Sequence, residues 1–348
     1  MEKNVSEKNE KVLSIGAFVL KKNGESARRT LDLLQIISED LKPFAKDEFL
    51  AIPIKRKLSK SEIEKIGKEV FVKTGNAYFE RRKKNPTISE LLGYNPTVEY
   101  IGDIAIIEDE QNKKEIGKAI FKCNKNIKTV LLANSPVLGE FRTRKFIHVC
   151  GEKKTETVYK EYGCKYYIDL EKAYFTQRLS TERARILKKI NEDDFVIDMF
   201  AGVGPFSILI SKKKKPKTVI ANDKNPEAVE LLIKNIKENK VENIKALNLD
   251  AKNLTDHYKE KADHVIMNLP CSAHLFLNEA VQLTKKGGII YYYAMAEETE
   301  KEDLYSKDID LIKKAARENG KNENIIEMRK IRSYAPHQYN ICIEARIE

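Results

Sequence analysis

The sequence has 348 residues, with 64 Lys and Arg against 53 Asp and Glu, which gives a formal net charge of +11. A chain of this length can bury a sizeable core and divide into two or three domains. The basic excess is spread along the chain and favours an anionic partner such as nucleic acid, although a surface rich in both Lys and Glu is also typical of heat-adapted proteins. No apolar run has the length of a membrane span and no secretory signal is evident, so we expect a cytoplasmic protein.

Cysteine and histidine give no sign of a metal site. The five cysteines are widely spaced and form no CxxC pair: Cys123, Cys150, Cys164, Cys271 and Cys342. A zinc site is therefore not expected, and free thiols in a reducing compartment are. His148 has no second ligand at metal spacing, and we interpret it as a core or strand-face residue.

Residues 1–75 are predicted to form a small N-terminal α/β domain, with 1–11 as a disordered tail. A strand-like run is followed by apolar residues at helical spacing and by a second strand at residues 48–54. Basic side chains that suit phosphate contacts lie at Lys21, Lys22, Arg28 and Arg29. An ordinary solvated surface explains these four residues equally well.

Residues 76–172 are predicted to form a second α/β domain that includes the basic linker 80–86. Two strands broken by Gly102, a helix from Lys113 to Cys123 and several further strands account for its pattern. Arg142 and Arg144 lie in a polar segment between two of these strands. They are candidate RNA-binding residues.

Residues 173–348 are predicted to form the third domain, which is organised around the stretch Val196–Ser207. An apolar run ends at Asp198, the turn Phe200-Ala-Gly-Val-Gly204 follows, and a helical segment begins at Pro205. This pattern indicates a buried parallel strand and a tight turn into a helix, with glycines that let the backbone approach a ligand. Because the segment lacks a full GxGxxG, it alone favours a plain strand-to-helix turn.

Three later strands also end in polar residues, at Asp223, Asp250 and Asn268. Asp223 follows the glycine turn by about 20 residues, where a ribose-binding carboxylate lies in doubly wound nucleotide-binding folds. Ligands of open α/β sheets bind at the carboxyl ends of strands, so all four ends face one crevice. Acids without a phosphate-loop lysine argue against a nucleoside triphosphate. They suit a ligand with hydroxyls, an amine and a positive sulfonium, which is S-adenosylmethionine.

These motifs are weak singly and specific in combination. They are Gly139-Glu-Phe-Arg-Thr-Arg144, Glu182-Arg-Ala-Arg-Ile186, Asp198-Met-Phe-Ala-Gly-Val-Gly-Pro-Phe206 and Asn268-Leu-Pro270. In this combination the sequence resembles the archaeal and eukaryotic tRNA (guanine-37-N1) methyltransferase family, from about Val12 onward. The resemblance implies an α/β fold, with a Rossmann-like class I methyltransferase domain at the C-terminus and two smaller α/β (α+β) accessory domains before it.

The resemblance assigns catalytic roles to four residues. Glu182 matches the general base that takes the N1 proton of guanine, and Arg142 matches the residue that stabilises charge on O6. Asn268 matches the residue that holds the target base or the methionine moiety, and Pro270 shapes its loop. For Glu182 alone, ordinary helix-end electrostatics is an alternative explanation. The Asn-Leu-Pro turn alone indicates a planar nitrogen target more firmly than it indicates N1.

Cofactor contacts are expected along the strand ends. Asp223 should bind the ribose hydroxyls, Asp250 with the Ala251 backbone the adenine edge, and Asp198 with Gly202 and Gly204 the methionine end. The remaining predicted cofactor contacts are Arg183, Phe200, Lys224, Asn268 and Tyr174. Structural packing explains Tyr174 nearly as well.

The resemblance also implies tRNA as the partner. The family's N-terminal domain docks on the outer corner of the tRNA, and the guanosine 3′ of the anticodon leaves its stack to enter the pocket. The predicted nucleic-acid-binding residues are Arg142, Arg144, Arg178, Lys21, Lys22, Arg28 and Arg29. A monomer is expected, because no exposed apolar stripe is evident.

Four alternatives remain open. A bifunctional wybutosine-pathway methyltransferase fits the same motifs, whereas the aminocarboxypropyl transferase of that pathway lacks the Asn-Leu-Pro turn. An RNA-binding protein with a vestigial pocket would not need the acids or Glu182. A protein or DNA amine methyltransferase would leave Arg142 and Glu182 without a purpose.

Overall fold

The computed structural model describes residues 11–67, 70–82, 86–135, 139–299 and 303–348, and only the backbone of residue 72. The chain divides into two compact units, Met1–Pro86 and Thr87–Glu348. The expected tail at residues 1–11 lies almost wholly outside the described residues. In the part of the chain that the structure describes, no helix has the length and apolar character needed to cross a bilayer.

The first unit is an α/β sandwich built on an antiparallel sheet. Its elements are β1 (Lys11–Leu20), α1 (Gly24–Leu33), β2 (Phe44–Lys46), β3 (Phe49–Pro53), α2 (Lys60–Ile66) and β4 (Phe71–Glu80). The strands pair in the order β2-β3-β1-β4, and β4 pairs with β1 as far as Glu80, opposite Lys11. The boundary predicted after residue 75 lies inside β4, because this strand completes the sheet of the first unit.

The second unit begins with a smaller sheet and a hairpin. Its elements are α3 (Ile88–Leu92), β5 (Val98–Ile101), β6 (Ile104–Ile107), α4 (Lys113–Cys123), β7 (Thr129–Ala133), β8 (Phe146–Gly151), β9 (Glu156–Glu161) and β10 (Cys164–Asp169). The sheet has the order β5-β6-β7-β8, with β6 and β7 parallel, and β9 and β10 form a separate antiparallel pair.

A doubly wound sheet forms the rest of the second unit. Its elements are α5 (Ser180–Leu187), β11 (Phe195–Asp198), α6 (Pro205–Lys214), β12 (Thr218–Asn222), α7 (Pro226–Asn239), β13 (Ile244–Leu247), α8 (Thr255–Tyr258), β14 (Ala262–Met267), α9 (Leu277–Leu283), β15 (Thr284–Glu297), α10 (Ser306–Glu318), β16 (Glu323–Ala335) and β17 (Gln338–Ile347). The order is β13-β12-β11-β14-β15-β17-β16, parallel from β13 to β15, with β17 antiparallel to both neighbours. The order of the strands changes direction at β11, because β12 and β13 lie on one side of it and β14 and β15 on the other. Such a switch point places a ligand crevice beside β11 and β14.

Apolar cores lie on both faces of this sheet. One core joins β14 and β15 to α9 and α10, and another joins β11 to α5 and α6. A further core links residues of β6, β7 and β10 to α6 and α7. This shared core explains why residues 87–348 form one compact unit, although the sequence predicts a boundary at 172–173. The predicted α/β class, with a Rossmann-like C-terminal domain, is confirmed.

Candidate active site

A cavity of about 740 Å³ opens at the carboxyl ends of β11, β12 and β14. Residues from each of these strand ends line it, including Gly202, Asp223 and Asn268. Parallel strands bring their carboxyl ends to the same edge of a sheet, so the sequence expectation of one shared crevice is met in space. The segment 139–142 and the β16–β17 hairpin complete its wall.

Two carboxylates give one side of the cavity a negative charge. Asp223 accepts hydrogen bonds from the backbone N–H of Gly202 at 2.7 Å and of Asn225 at 2.9 Å, and burial raises its pKa. Asp250 accepts from the N–H of Lys252, and this bond, with the nearby Lys224, lowers its pKa. Both carboxylates line the cavity and retain acceptor capacity for ligand hydroxyls or amines.

Lys224 lies between two acids at the rim. Its Nζ is 2.6 Å from a carboxylate oxygen of Glu140 and 3.1 Å from one of Asp250. This lysine therefore links the 139–142 segment to the strand end that carries Asp250.

The two glycines of the turn have different roles. Gly202 lines the cavity at a φ of 54°, where a side chain is strained. Gly204 has a φ of 87° and lies outside the cavity lining, and a Cβ there would overlap Leu232 and lie 2.9 Å from Ile208 Cδ1. Gly204 thus permits close packing at the start of α6. It does not line the cavity, although the sequence predicts that it contacts the cofactor.

Asp198 is buried beneath the cavity rather than exposed to it. Its side chain is 1% exposed, and Oδ2 accepts a hydrogen bond from Ser207 Oγ at 2.7 Å. Burial raises the pKa of Asp198 to about 7. Through Ser207 the residue is bonded to the start of α6, and it is not among the lining residues.

A guanidinium and an amide also line the cavity. Arg142 lies 5.0 Å from the ring centre of Tyr174 and donates to Cys271 Sγ at 3.4 Å, and its buried Nε has no partner among the described residues. The buried Oδ1 of Asn268 also lacks a partner there. Pro270 O accepts from the N–H of Met295 at 3.1 Å, which fixes the loop after β14. A bound ligand or an ordered water supplies the opposite groups at such atoms.

Comparison with known proteins identifies the family of this chain. The TRM5/TYW2 methyltransferase domain matches residues 157–325, the TYW2 N-terminal domain matches 90–155, and the tRNA methyltransferase 5 N-terminal domain matches 19–62. The tRNA (guanine(37)-N(1))-methyltransferase Trm5b of Pyrococcus abyssi is 40% identical over 96% of this chain and 99% of its own length. The chain belongs to the TRM5/TYW2 methyltransferase family.

Two further relatives show the range of this family. The tRNA(Phe) (4-demethylwyosine(37)-C(7)) aminocarboxypropyltransferase of Methanocaldococcus jannaschii is 37% identical over 71% of this chain and 96% of its own length. The chain is also similar to a solved complex of aTrm5 and tRNALeu, with a TM-score of 0.68 and 32% sequence identity. The match covers 96% of this chain and 100% of that chain.

Among the residues that the family resemblance singles out, Arg183 holds the wall of the cavity together. Its side chain is 1% exposed and forms a two-pronged ion pair with Glu161, at 2.8 Å from Nε and 2.6 Å from Nη2. Its Nη1 donates to Thr176 O at 3.3 Å. Although Arg183 lines the cavity, its donors are largely used by the protein, so its observed contacts are structural. Phe200 and Ala251 also line the cavity, and Phe200 packs edge-on against Phe276 at 5.1 Å.

Glu182 does not lie with the other residues of the site. Its carboxylate accepts from Arg185 Nη2 at 2.6 Å and from Tyr293 Oη at 2.8 Å, and it is absent from the cavity lining. Arg185 in turn pairs with Glu344, which is 1% exposed. The predicted general base is therefore part of a buried charge network between α5 and the C-terminal strands, one helical residue away from the cavity-lining Arg183.

Apart from Arg142, the predicted RNA-binding residues lie outside the cavity. Arg144 pairs with Glu108 at 3.2 Å and Arg178 with Glu99 at 3.6 Å, and neither lines the cavity. In the first unit, Arg28 and Arg29 share the carboxylate of Glu25. Lys21 and Lys22 are exposed in the turn before α1.

The C-terminal hairpin contributes to the cavity, which the sequence pattern did not predict. Arg332, Tyr334, Gln338 and Asn340 all line it. The only signal was a polar residue within each strand of the hairpin, which does not reveal the face that meets the site.

Proposed function

We propose that this chain acts as a cytoplasmic monomer that transfers a methyl group from S-adenosylmethionine to N1 of guanosine 37 in tRNA. Family membership and the near full-length match to a Trm5b enzyme support the reaction. The observation that carries the proposal is one cavity lined by two carboxylates, a guanidinium and an amide, in which Arg142 Nε and Asn268 Oδ1 have no partner among the described residues.

The residues of the cavity fit S-adenosylmethionine. Asp223 and Asp250 suit its ribose hydroxyls and adenine amine, and Gly202 leaves the backbone open to its methionine part. The cofactor supplies an electrophilic methyl group and leaves as a neutral thioether. Alignment with the acceptor is then the main requirement, which can be worth up to about 7–11 kcal/mol.

Arg142 and Asn268 are suited to hold the guanine ring. The free Nε–H of Arg142 can donate to O6, where negative charge develops as the N1 proton leaves. The free Oδ1 of Asn268 can accept an N–H from the base. Tyr174 stacks with the Arg142 guanidinium and so limits its orientation.

Removal of the N1 proton is assigned to Glu182 by the family resemblance. In the observed arrangement its carboxylate is bound by Arg185 and Tyr293. To accept the proton, Glu182 must exchange at least one of these contacts for the purine N1–H. We infer that substrate entry drives this exchange.

The first unit separates this proposal from the aminocarboxypropyl transfer alternative. The match to the aminocarboxypropyltransferase relative covers 96% of that protein but 71% of this chain. Residues 87–348 make up a similar share of this chain. Residues 19–62 instead match the tRNA methyltransferase 5 N-terminal domain. The additional unit and the Asn268-Leu-Pro270 turn both favour methylation of guanosine 37.

The test is methyl transfer from labelled S-adenosylmethionine to tRNA transcripts that carry G or A at position 37. Label should enter the G37 transcript alone, and digestion to nucleosides should yield N1-methylguanosine. Equal labelling of both transcripts would exclude the assignment. Transfer of an aminocarboxypropyl group, detected by label in the methionine carbons, would support the alternative.

A further inference from the structure

Three side chains form a row across the C-terminal strands and line the cavity. Met295 of β15 lies opposite Asn340 of β17, and Asn340 lies opposite Arg332 of β16. Directly opposed residues of antiparallel strands share one face and have Cβ atoms about 4.5–5.5 Å apart. Because all three residues line the cavity, this face of the hairpin forms its wall beyond the Asn268 loop.

Each of the two polar members of the row has one buried atom without a hydrogen-bond partner among the described residues. Asn340 is 3% exposed, and its Oδ1 is buried with no hydrogen bond among the described residues. The buried Nε of Arg332 likewise lacks a partner, and no ion pair to its guanidinium is found in the described ranges. Buried polar groups are nearly always satisfied, so this pair indicates a bound group that completes it.

The row runs from the interior to the solvent. Met295 is next to the Asn268 loop through its N–H bond to Pro270 O, and Asn340 is buried. Arg332 lies on β16, the edge strand of the sheet, and the neighbouring Tyr334 is 66% exposed. A nucleotide placed along this row would have its base inside and its phosphate near Arg332.

The geometry points to a nucleotide-binding subsite in which Arg332 holds a phosphate of the target nucleotide and Asn340 hydrogen bonds to the same nucleotide. This inference rests on the proposed function and adds a site for the substrate. Guanidinium groups bind phosphate oxygens strongly because their N–H donors match the oxygen geometry. The carboxylate of the cofactor is the other anion that could satisfy Arg332, and the experiment separates the two sources.

The experiment measures tRNA binding by Arg332→Ala as a function of KCl concentration, and cofactor binding by calorimetry. Loss of one phosphate contact should weaken tRNA binding and reduce the slope of log K against log salt by about 0.7–0.9. The affinity for S-adenosylmethionine should not change. The matched control is Arg346→Ala, which removes an exposed arginine from β17, six residues from Asn340, or about 20 Å along the strand.

A second variant tests the pair without removing the arginine. In Asn340→Asp, the new carboxylate lies opposite Arg332 and should form an ion pair with it, so tRNA binding should fall as in Arg332→Ala. Thermal unfolding of each variant checks that the loss is not caused by misfolding. The double variant Arg332→Ala, Asn340→Asp should show the same salt slope as Arg332→Ala alone.

Two results would overturn the inference. An unchanged salt slope in Arg332→Ala would show that no phosphate is held there, and a parallel loss of cofactor affinity would assign the arginine to the cofactor carboxylate. Wild-type activity on the G37 transcript is measured in the same series. If the wild type fails to methylate G37, the proposed function fails, whereas normal wild-type activity with unaffected variants defeats the subsite alone.

Discussion

The pKa of each acidic residue at this site depends on its burial as well as on its chemical type. Asp198, Asp223 and Asp250 all follow strands, yet burial raises the pKa of the first two while hydrogen bonds lower that of Asp250. The pKa of Asp198 reaches about 7, compared with its ordinary 3.8. Its buried Oδ1 also lacks a partner among the described residues.

Asp198→Asn should change how stability depends on pH. Between about pH 4 and pH 7 the unfolded chain loses the Asp198 proton while the folded protein keeps it, so the wild-type free energy of unfolding falls as pH rises. Asparagine does not titrate, so the variant should gain stability relative to the wild type across this window, by about 1.4 kcal/mol per unit of pKa difference. Denaturant unfolding at several pH values measures this. A constant difference between the two proteins would contradict the raised pKa.

Glu182→Gln tests whether the buried carboxylate is a catalytic base. If Glu182 takes the N1 proton, the single-turnover rate should fall by about 10²–10⁴-fold, with cofactor affinity unchanged. The matched control is Glu344→Gln, which removes another carboxylate bound to Arg185 in the same network. Comparable losses of rate in both variants, or weaker cofactor binding with normal turnover, would assign Glu182 a structural role.

At the scale of elements, the site depends on contacts between segments that are distant in sequence. The ion pair of Glu161 at the end of β9 with Arg183 of α5 connects the hairpin to the helix that follows it. Asn235 and Asn239 of α7 bond to the backbone of β10. These bonds hold the hairpin against the doubly wound sheet, beside the cavity wall.

Glu161→Gln should destabilise the protein strongly. Removal of one partner leaves the Arg183 charge buried and unpaired, which typically costs about 3–5 kcal/mol. Chemical denaturation gives the change in unfolding free energy, with Glu156→Gln as the control, since Glu156 is exposed at the start of the same strand. Similar small losses in both variants would show that the buried pair contributes little.

At the scale of the whole molecule, the chain divides into two compact units. The first unit has its own apolar core between α1, α2 and its sheet, and the second contains every residue of the cavity. The exposed Lys21 and Lys22 belong to the first unit. Each unit therefore has the internal packing needed to fold as a separate body.

A chain of residues 87–348 should fold and bind S-adenosylmethionine as the full chain does, but bind tRNA more weakly. The full-length double variant Lys21→Ala, Lys22→Ala should lose part of the affinity for tRNA, because it loses phosphate contacts. Each lost contact should also lower the salt slope. Calorimetry with the cofactor and filter binding with tRNA measure both effects. Equal tRNA affinity of the truncated and full-length chains would rule out a tRNA-docking role for the first unit.

Local sequence patterns predicted the fold class and several of the residues that line the cavity. Apolar β-branched runs ending at Asp198, Asp223 and Asn268 predict parallel strands, and parallel strands bring their ends to one edge. The glycine turn is also visible locally, because a positive φ at Gly202 needs a residue without a Cβ. These features depend on residues close together in the chain.

Only the tertiary structure decided which polar residues face the cavity. Asp198 and Gly204 belong to the sequence motif but lie beneath the surface of the site, whereas Arg332 and Asn340 join it because β17 pairs between β15 and β16. Glu182 directly precedes Arg183 in α5, so the two side chains point in different directions. The Glu182 side chain therefore joins a separate charge network. Strand and helix periodicity shows that neighbouring side chains differ in direction, but the element packed against each face determines what every side chain meets.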